Sequence, residues 1–278
     1  MKLLRHGPQG QEKPGLLDGK GQIRDLSAHV SDIGGAVLTN LDALRTLDPE
    51  SLPLVPGTPR LGPCVGGIGK FIGIGLNYAD HAAEAGLKVP PEPIIFLKAT
   101  SAISGPDDPI LIPRGSEKTD WEVELAVVIG KPGKYIAEAE ALSHIAGYCV
   151  ANDVSERAFQ TERSGQWTKG KSSDSFGPIG PWLVTADEVP DPQNLPMWLK
   201  VNGETMQNGS TATMVYGAAF LVSYLSQFFT LHPGDVISTG TPPGVGMGLK
   251  PPRYLKPGDV VELGINGLGS QRQVCVAD

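Results

Sequence analysis

The chain has 278 residues, and 23 Lys and Arg against 30 Asp and Glu give a formal net charge of −7. A chain of this length folds as one large domain, or as a large one and a small one, around a substantial core. No basic run offers a face to nucleic acid, and no apolar stretch approaches the about 20 residues that span a bilayer, so neither nucleic acid nor membrane is an expected partner.

From the N-terminus, Lys2–His6 and 23–26 have strand character, and Asp18-Gly19 is a turn signal for a hairpin. Met1-Lys2-Leu3-Leu4-Arg5 lacks the apolar core of a secretory signal. Cys64, Cys149 and Cys275 are too scattered for a disulfide framework or a thiolate metal site. Both features fit a reducing, cytoplasmic setting. Thr39 or Asn40 caps a predicted short helix running to Leu47, with Leu41, Leu44 and Leu47 at helical spacing. Pro49, Pro53, Pro56, Gly57, Pro59, Gly62 and Pro63 then crowd residues 48–63. The domain boundary is placed there, with a small N-terminal α/β domain over 1–63 and a larger domain over 64–278.

From Phe71 onward, short apolar runs alternate with Gly/Pro turns, at 71–74, 94–97, 110–112, 123–129, 145–151, 181–184, 197–201, 236–239 and 260–265. This pattern predicts an α+β, β-rich fold whose strands are mixed and mostly antiparallel. One amphipathic helix is expected over 214–229, and a short one starts near Asp80.

The chemistry-bearing residues lie within this frame. In a strand over 121–129, Glu122 and Glu124 share one face, and Val123, Leu125 and Val127 share the other. Two adjacent carboxylates in so apolar a run either line a solvated edge or hold a cation, since buried ionised acids are costly unless paired or bound to metal. A second apolar strand, over 145–152, ends at a third acid, Asp153. Three carboxylates without Cys or His select a hard cation, Mg²⁺ or Mn²⁺. His81 and Glu84 sit at i and i+3 of the helix near Asp80. They are either a carboxylate-oriented general base or an ordinary helix-surface pair. Gly165 to Ser172 fits the phosphate-loop spacing, but a polar stretch precedes it and Ser, Gly and Pro follow it, so the strand–loop–helix context is missing and nucleotide binding is not expected. Lys171 within it is a candidate to hold an enolate or carboxylate oxygen. The loop from Thr239 to Gly246 either presents hydroxyls and amides to a carboxylate or is simply a tight turn.

Several of these segments, in this order, resemble the fumarylacetoacetate hydrolase family. They are Gly75-Leu76-Asn77-Tyr78-Ala79-Asp80-His81, Phe96-Leu97-Lys98, Glu122 with Glu124, Asn152-Asp153-Val154-Ser155, Gly170-Lys171-Ser172 through Phe176-Gly177-Pro178, and Ser238-Thr239-Gly240-Thr241-Pro242 through Gly246. The resemblance implies a β-sandwich roll, a homodimer, and Mg²⁺ or Mn²⁺ held by Glu122, Glu124 and Asp153. It also implies a water-activating His81–Glu84 dyad on a lid segment, and an enolate stabilised by Lys171. Arg157, Gln160, Lys98 and Thr241 become candidate substrate contacts, although Arg157 is also spaced to pair with Glu156 or Glu162 at the surface. Leu76 stands where the acylpyruvase branch usually has Arg, and Lys118-Thr119-Asp120-Trp121 looks like members acting on 2,4-diketo-3-deoxy sugar acids such as those from L-rhamnonate or L-fuconate. The expected reaction is therefore C–C hydrolysis of a 2,4-diketo acid to pyruvate and a second carboxylic acid. The alternatives are a ureidoglycolate lyase, an acylpyruvase or oxaloacetate decarboxylase, a diacid isomerase, or a non-catalytic binding protein on the same fold. The intact set His81, Glu84, Glu122, Glu124, Asp153 and Lys171 argues against the last.

Overall fold

A computed structural model describes residues 1–84, 86 and 88–278, with the backbone alone at His81. The chain opens on β1 (Lys2–His6), β2 (Lys13–Leu17) and β3 (Ile23–Asp25). β2 lies between the other two, so the expected hairpin is a three-stranded meander, and the Asp18-Gly19 turn joins β2 to β3. Pro14 and Gly15 interrupt the apolar run of β2 and hid it from the pattern. The Asp18 carboxylate closes the turn, accepting from the Lys20 and Gln22 amides at 2.8 and 2.9 Å. Two one-turn helices follow, α1 (Gly35–Leu38) and α2 (Asp42–Arg45). The second is the expected helix, shorter at both ends and entered through Asn40, whose side chain accepts from the Asp42 amide at 3.1 Å.

Next come β4 (Phe71–Gly75), α3 (Ala79–Glu84), β5 (Ile94–Lys98), β6 (Ile103–Ser104), β7 (Ile110–Ile112), β8 (Thr119–Asp120) and β9 (Val123–Ile129). After α4 (Glu138–Ala141) the chain runs through β10 (Ile145–Asn152), β11 (Ser155–Glu156), α5 (Arg157–Thr161), α6 (Thr168–Lys171) and β12 (Gly177–Thr185). The last third holds β13 (Pro196–Val201), β14 (Glu204–Ser210), α7 (Ala218–Phe228), β15 (Val236–Ser238), β16 (Val260–Ile265) and β17 (Gly269–Ala277). The apolar runs all became strands. β14 and β17 went unpredicted because their buried faces carry polar groups. Gln271 and Gln273 of β17 are buried, and Gln271 donates to the Val150 and Gly180 carbonyls at 2.8 and 3.1 Å. α7 starts at Ala218, four residues later than expected, because the Tyr216 amide is drawn to the Asn77 side chain at 2.8 Å.

One sheet of ten strands runs β3-β2-β1-β12-β10-β9-β15-β4-β5, with β6 beside β12; a second runs β14-β13-β16-β17-β7, and β8 pairs with β11. The N-terminal strands therefore extend the sheet that carries β9 and β10. Pairing is mostly antiparallel, with parallel exceptions at β15–β4, β12–β6 and β17–β7, so the fold is the expected mixed α+β one. β9 is buried throughout, and its side chains alternate between two cores. Val123, Leu125, Val127 and Ile129 pack with Leu221 and Val222 of α7 and Leu199 and Leu263 of the second sheet. Ala126 and Val128 pack with Leu3, Leu16, Phe71 and Cys149. Among the described residues no helix is long and apolar enough to cross a membrane.

Candidate active site

The acids come together through the register of β9 and β10. Glu124 stands opposite Ala151 and Val123 opposite Asn152. Just beyond the ladder, the Asp153 amide donates to the Glu122 carbonyl at 2.9 Å, and the Glu122 amide donates to Asn152 Oδ1 at 3.1 Å. Glu122, Glu124 and Asp153 thus each offer one oxygen within 4.8 Å of the others, and all three are buried.

Three buried cations close on this cluster. Lys171 Nζ bridges Glu122 Oε2 and Asp153 Oδ2 at 2.7 Å each. Burial alone would lower its pKa, but Asp153 and Glu122 outweigh that and raise it, so Lys171 stays an ammonium. Lys98 Nζ donates to Asp153 Oδ1 and to the Val154 carbonyl, and burial draws its pKa down despite that partner. Arg157 donates to Asp120 Oδ2 at 2.8 Å, to Glu122 Oε1 at 2.7 Å and to Gln160 Oε1 at 3.1 Å. Arg157 is therefore buried among site residues, and the surface pairing with Glu156 or Glu162 does not form. The site wins because Asp120 and Glu122 together repay the burial of the guanidinium, raising its pKa.

Lys171 ends a one-turn helix, and the Gly-Lys pair has a packing reason unrelated to phosphate. A Cβ at Gly170 would lie 2.5 Å from the Gln160 amide nitrogen and the Glu156 carbonyl, so only glycine lets α6 lie against α5 and carry Lys171 inward. The loop after β15 turns its amides on the protein's own carboxylates. Gly240 donates to Glu124 at 2.9 Å, and Gly244 to the two oxygens of Glu84 at 3.0 and 3.1 Å. Gly246 and Met247 donate to Asp120 at 2.6 and 3.0 Å. The Thr241 hydroxyl donates to the Val123 carbonyl at 2.9 Å and accepts from Gln207 at 2.8 Å. Glu84 thereby reaches the site loop from α3, while the side chain of His81 lies outside the described residues.

A cavity of about 90 Å³ is lined by Glu122, Glu124, Arg157, Gln160, Lys171 and Thr241 on its polar part. Asp120 is the main site residue that sequence reasoning missed. It is fully buried, and the signal was present, because it continues the period-two alternation of Glu122 and Glu124 by one step.

The donor set fits a hard divalent cation. Three carboxylates converge, and the Lys171 ammonium already occupies a bridging position between two of them. Among the described residues Glu124 accepts from neutral donors, the Ser238 hydroxyl at 2.6 Å and the Gly240 amide. Its burial, followed by the charges of Asp153 and Glu122, pushes its pKa well above the carboxylate range. A carboxyl so placed is ionised at little cost only when a further positive charge arrives.

Comparison with known proteins agrees with this geometry. The sequence profile of the fumarylacetoacetate (FAA) hydrolase C-terminal domain matches residues 70–276. The chain belongs to the fumarylacetoacetate hydrolase family. A protein of Burkholderia multivorans, named only as a candidate hydrolase, is 67% identical over 277 residues, covering 99% of this chain and 98% of its own. The fumarylacetoacetate hydrolase of Exiguobacterium antarcticum superposes with a TM-score of 0.89 at 35% identity, over 100% of both chains. Maleylpyruvate hydrolase from Sphingobium sp. SYK-6, solved with manganese(II) and pyruvate, superposes at 0.83 with 29% identity, over 100% of this chain and 99% of its own. The neighbours also include a 2-hydroxyhepta-2,4-diene-1,7-dioate isomerase from Mycobacterium marinum, with a TM-score of 0.80 and 32% identity over 100% and 99% of the chains. The family to which the chain belongs thus contains hydrolases and isomerases, and Glu122, Glu124 and Asp153 form a buried acidic site that could hold a metal.

Proposed function

We propose that the protein is a divalent-metal-dependent hydrolase that cleaves the C3–C4 bond of a 2,4-diketo acid, releasing pyruvate and a second carboxylic acid. The observation that carries this is the convergence of three buried carboxylates with two lysine ammonium groups, Lys98 and Lys171, in one cluster. Such a cluster supports a leaving group that departs as an anion. Glu122, Glu124 and Asp153 would hold Mg²⁺ or Mn²⁺. When bound, the ion supplies a Lewis acid for the 2-oxo acid head.

The protein's own groups supply the rest. Glu84, fixed by the Gly244 amide, stands three residues along α3 from His81, which would serve as the base that takes a proton from water. Hydroxide adds to C4, and the C3–C4 bond breaks with its electron pair passing to C3 as the pyruvate enolate. That carbon regains the proton, and the hydroxyl oxygen leaves in the new carboxyl group. Lys171 places positive charge where the enolate oxygen develops. Arg157 and Gln160, held to one another and lining the cavity, are positioned for the substrate carboxylate.

The test is product release by metal-reloaded protein offered acetylpyruvate, 2,4-diketo-3-deoxy-L-rhamnonate and ureidoglycolate, each with and without EDTA. Pyruvate from a diketo acid, lost with EDTA and restored by Mn²⁺, is expected. Urea and glyoxylate would replace the reaction while leaving the metal site. Undiminished turnover after exhaustive chelation would remove the metal from it.

A further inference from the structure

Asp120, at the end of β8, is a fully buried carboxylate outside the group of acids that converge in the site, and it does not line the cavity. The β8–β11 register sets its neighbour. Ser155 stands opposite Asp120 and Glu156 opposite Thr119, and the Arg157 amide extends the ladder by donating to the Lys118 carbonyl at 3.0 Å. The Glu156 carboxylate is itself spent on Ser116, Thr119 and the Lys118 and Ala158 amides. The guanidinium of Arg157 is buried instead, and its Nε donates to Asp120 Oδ2 at 2.8 Å.

Backbone amides hold the same carboxylate in place. Oδ1 accepts from the Trp121 amide at 2.8 Å and the Gly246 amide at 2.6 Å, and Oδ2 accepts from the Met247 amide at 3.0 Å. The loop comes this close only because residue 246 is glycine. A Cβ there would lie 2.8 Å from Asp120 Oδ1 and 1.9 Å from the Arg253 carbonyl oxygen. The Trp121 indole secures the loop as well, donating from Nε1 to the Gly244 carbonyl at 3.0 Å. Asp120 is thus fixed by three amides and holds one side chain, that of Arg157. Bonds to an ionised carboxylate are shorter and stronger than neutral ones, so the anchor is stiff. Among the described residues, Asp120, Glu122 and Gln160 take one N–H from each nitrogen of the guanidinium, three of its five donors. With its fork so fixed, Arg157 lines the cavity.

We propose that Asp120 is a positioning residue for this reaction: anchored by the Trp121, Gly246 and Met247 amides, it sets the guanidinium of Arg157 in the orientation that receives the substrate carboxylate. This rests on the 2,4-diketo acid function proposed above and assigns within it a residue that acts through Arg157 alone. A neutral side chain of the same shape does not replace it. In Asp120→Asn an NH₂ group faces either Arg157 or the loop amides, donor against donor. Among the described residues, Arg157 then keeps only Glu122 as a charged partner.

The experiment is a double-mutant cycle on Asp120→Asn and Arg157→Met, read by pyruvate release from acetylpyruvate at saturating Mn²⁺, with Mn²⁺ affinity measured separately by calorimetric titration. Asp120→Asn is expected to raise KM at least about tenfold, the loss of one well-placed bond to a charged group, and to leave kcat within about threefold. In the Arg157→Met background the same change adds less than about threefold, because no guanidinium is left to orient. Mn²⁺ affinity falls by less than the about tenfold expected of a group that supports a metal ligand directly. A merely structural role would lower kcat and the melting temperature in both backgrounds alike and leave KM where it was. An unchanged KM in Asp120→Asn, equal losses in the two backgrounds, or a fall in Mn²⁺ affinity as large as the rise in KM would overturn the assignment while the diketo acid function stands. Should Asp120→Asn not fold, the variant carrying both changes, in which neither buried charge is left without the other, is compared with Arg157→Met alone. KM values within about threefold then support the assignment, and a further rise of about tenfold overturns it. If the wild type releases pyruvate neither from acetylpyruvate nor from 2,4-diketo-3-deoxy-L-rhamnonate, the diketo acid function itself fails and the role of Asp120 falls with it.

Discussion

Two charge networks in this molecule carry the same imbalance and meet different fates. In the first, Arg5 and Arg60 face Glu12, Asp32 and Asp108, two guanidiniums against three carboxylates, in a chain that ties the N-terminal strands to the loop before β7. In the second, among the described residues, Lys98, Lys171 and Arg157 face Asp120, Glu122, Glu124 and Asp153, three cations against four carboxylates. Side chains of the first network are 6% to 37% exposed, so water absorbs the surplus charge. Glu12 accordingly remains a ready acid: burial alone would raise its pKa, but the Arg60 bond helps to bring it below the usual value. The ion-paired side chains of the second network are at most 6% exposed, and burial, then the charges of Asp153 and Glu122, push the pKa of Glu124 well above its usual value. An unbalanced charge that water can reach is a clasp, whereas one that water cannot reach is a binding site for a cation.

The sharpest way to break this contrast is Lys171→Met. Removing one member of a buried ion-pair cluster costs about 3–5 kcal/mol. The metal-free protein should melt lower by roughly 10 °C, and Mn²⁺ should recover much of the loss by replacing the missing positive charge. An unchanged melting temperature in EDTA would show that the cluster is solvated after all. Glu124→Gln comes next. Calorimetric titration should show Mn²⁺ affinity reduced at least about a hundredfold, the upper range for loss of a group supporting a metal. Metal-free stability should hold, because the amide keeps an oxygen for Ser238 and Gly240 without the buried charge. Retention of wild-type Mn²⁺ affinity would contradict the metal site. Arg60→Ala, in the outer network, should cost only about 1 kcal/mol in denaturant unfolding, and less still in 1 M salt. A cost as large as that of Lys171→Met would erase the distinction between the networks.

Legibility in the sequence followed how local each feature was. The alternation that puts Glu122 and Glu124 on one face is a property of seven residues, and it survived folding intact. Asp120 was readable by the same rule. β17 was not, because Gln271 and Gln273 occupy core positions where an apolar pattern was sought, and their hydrogen bonds to remote carbonyls replace apolar contact. For Arg157, a candidate substrate contact, the sequence also left open a surface pairing, which does not form. Glu156 and Glu162 are its neighbours in sequence, but the partners that matter sit 35 and 37 residues away on another element. The phosphate-loop spacing was set aside on its flanking sequence, and the packing reason for Gly170 appeared only once α5 was seen against α6.

By itself, then, the sequence determined the short-strand β-rich architecture, the oxygen-only donor chemistry of the acid cluster, and the face on which two of its members lie. These follow from residue type and a period of two. The tertiary structure decided which cations meet which acids, and that the loop after β15 spends its amides on Glu84, Asp120 and Glu124. Such choices depend on distance and on exclusion of water between segments far apart in the chain, and both exist only once the sheets have closed.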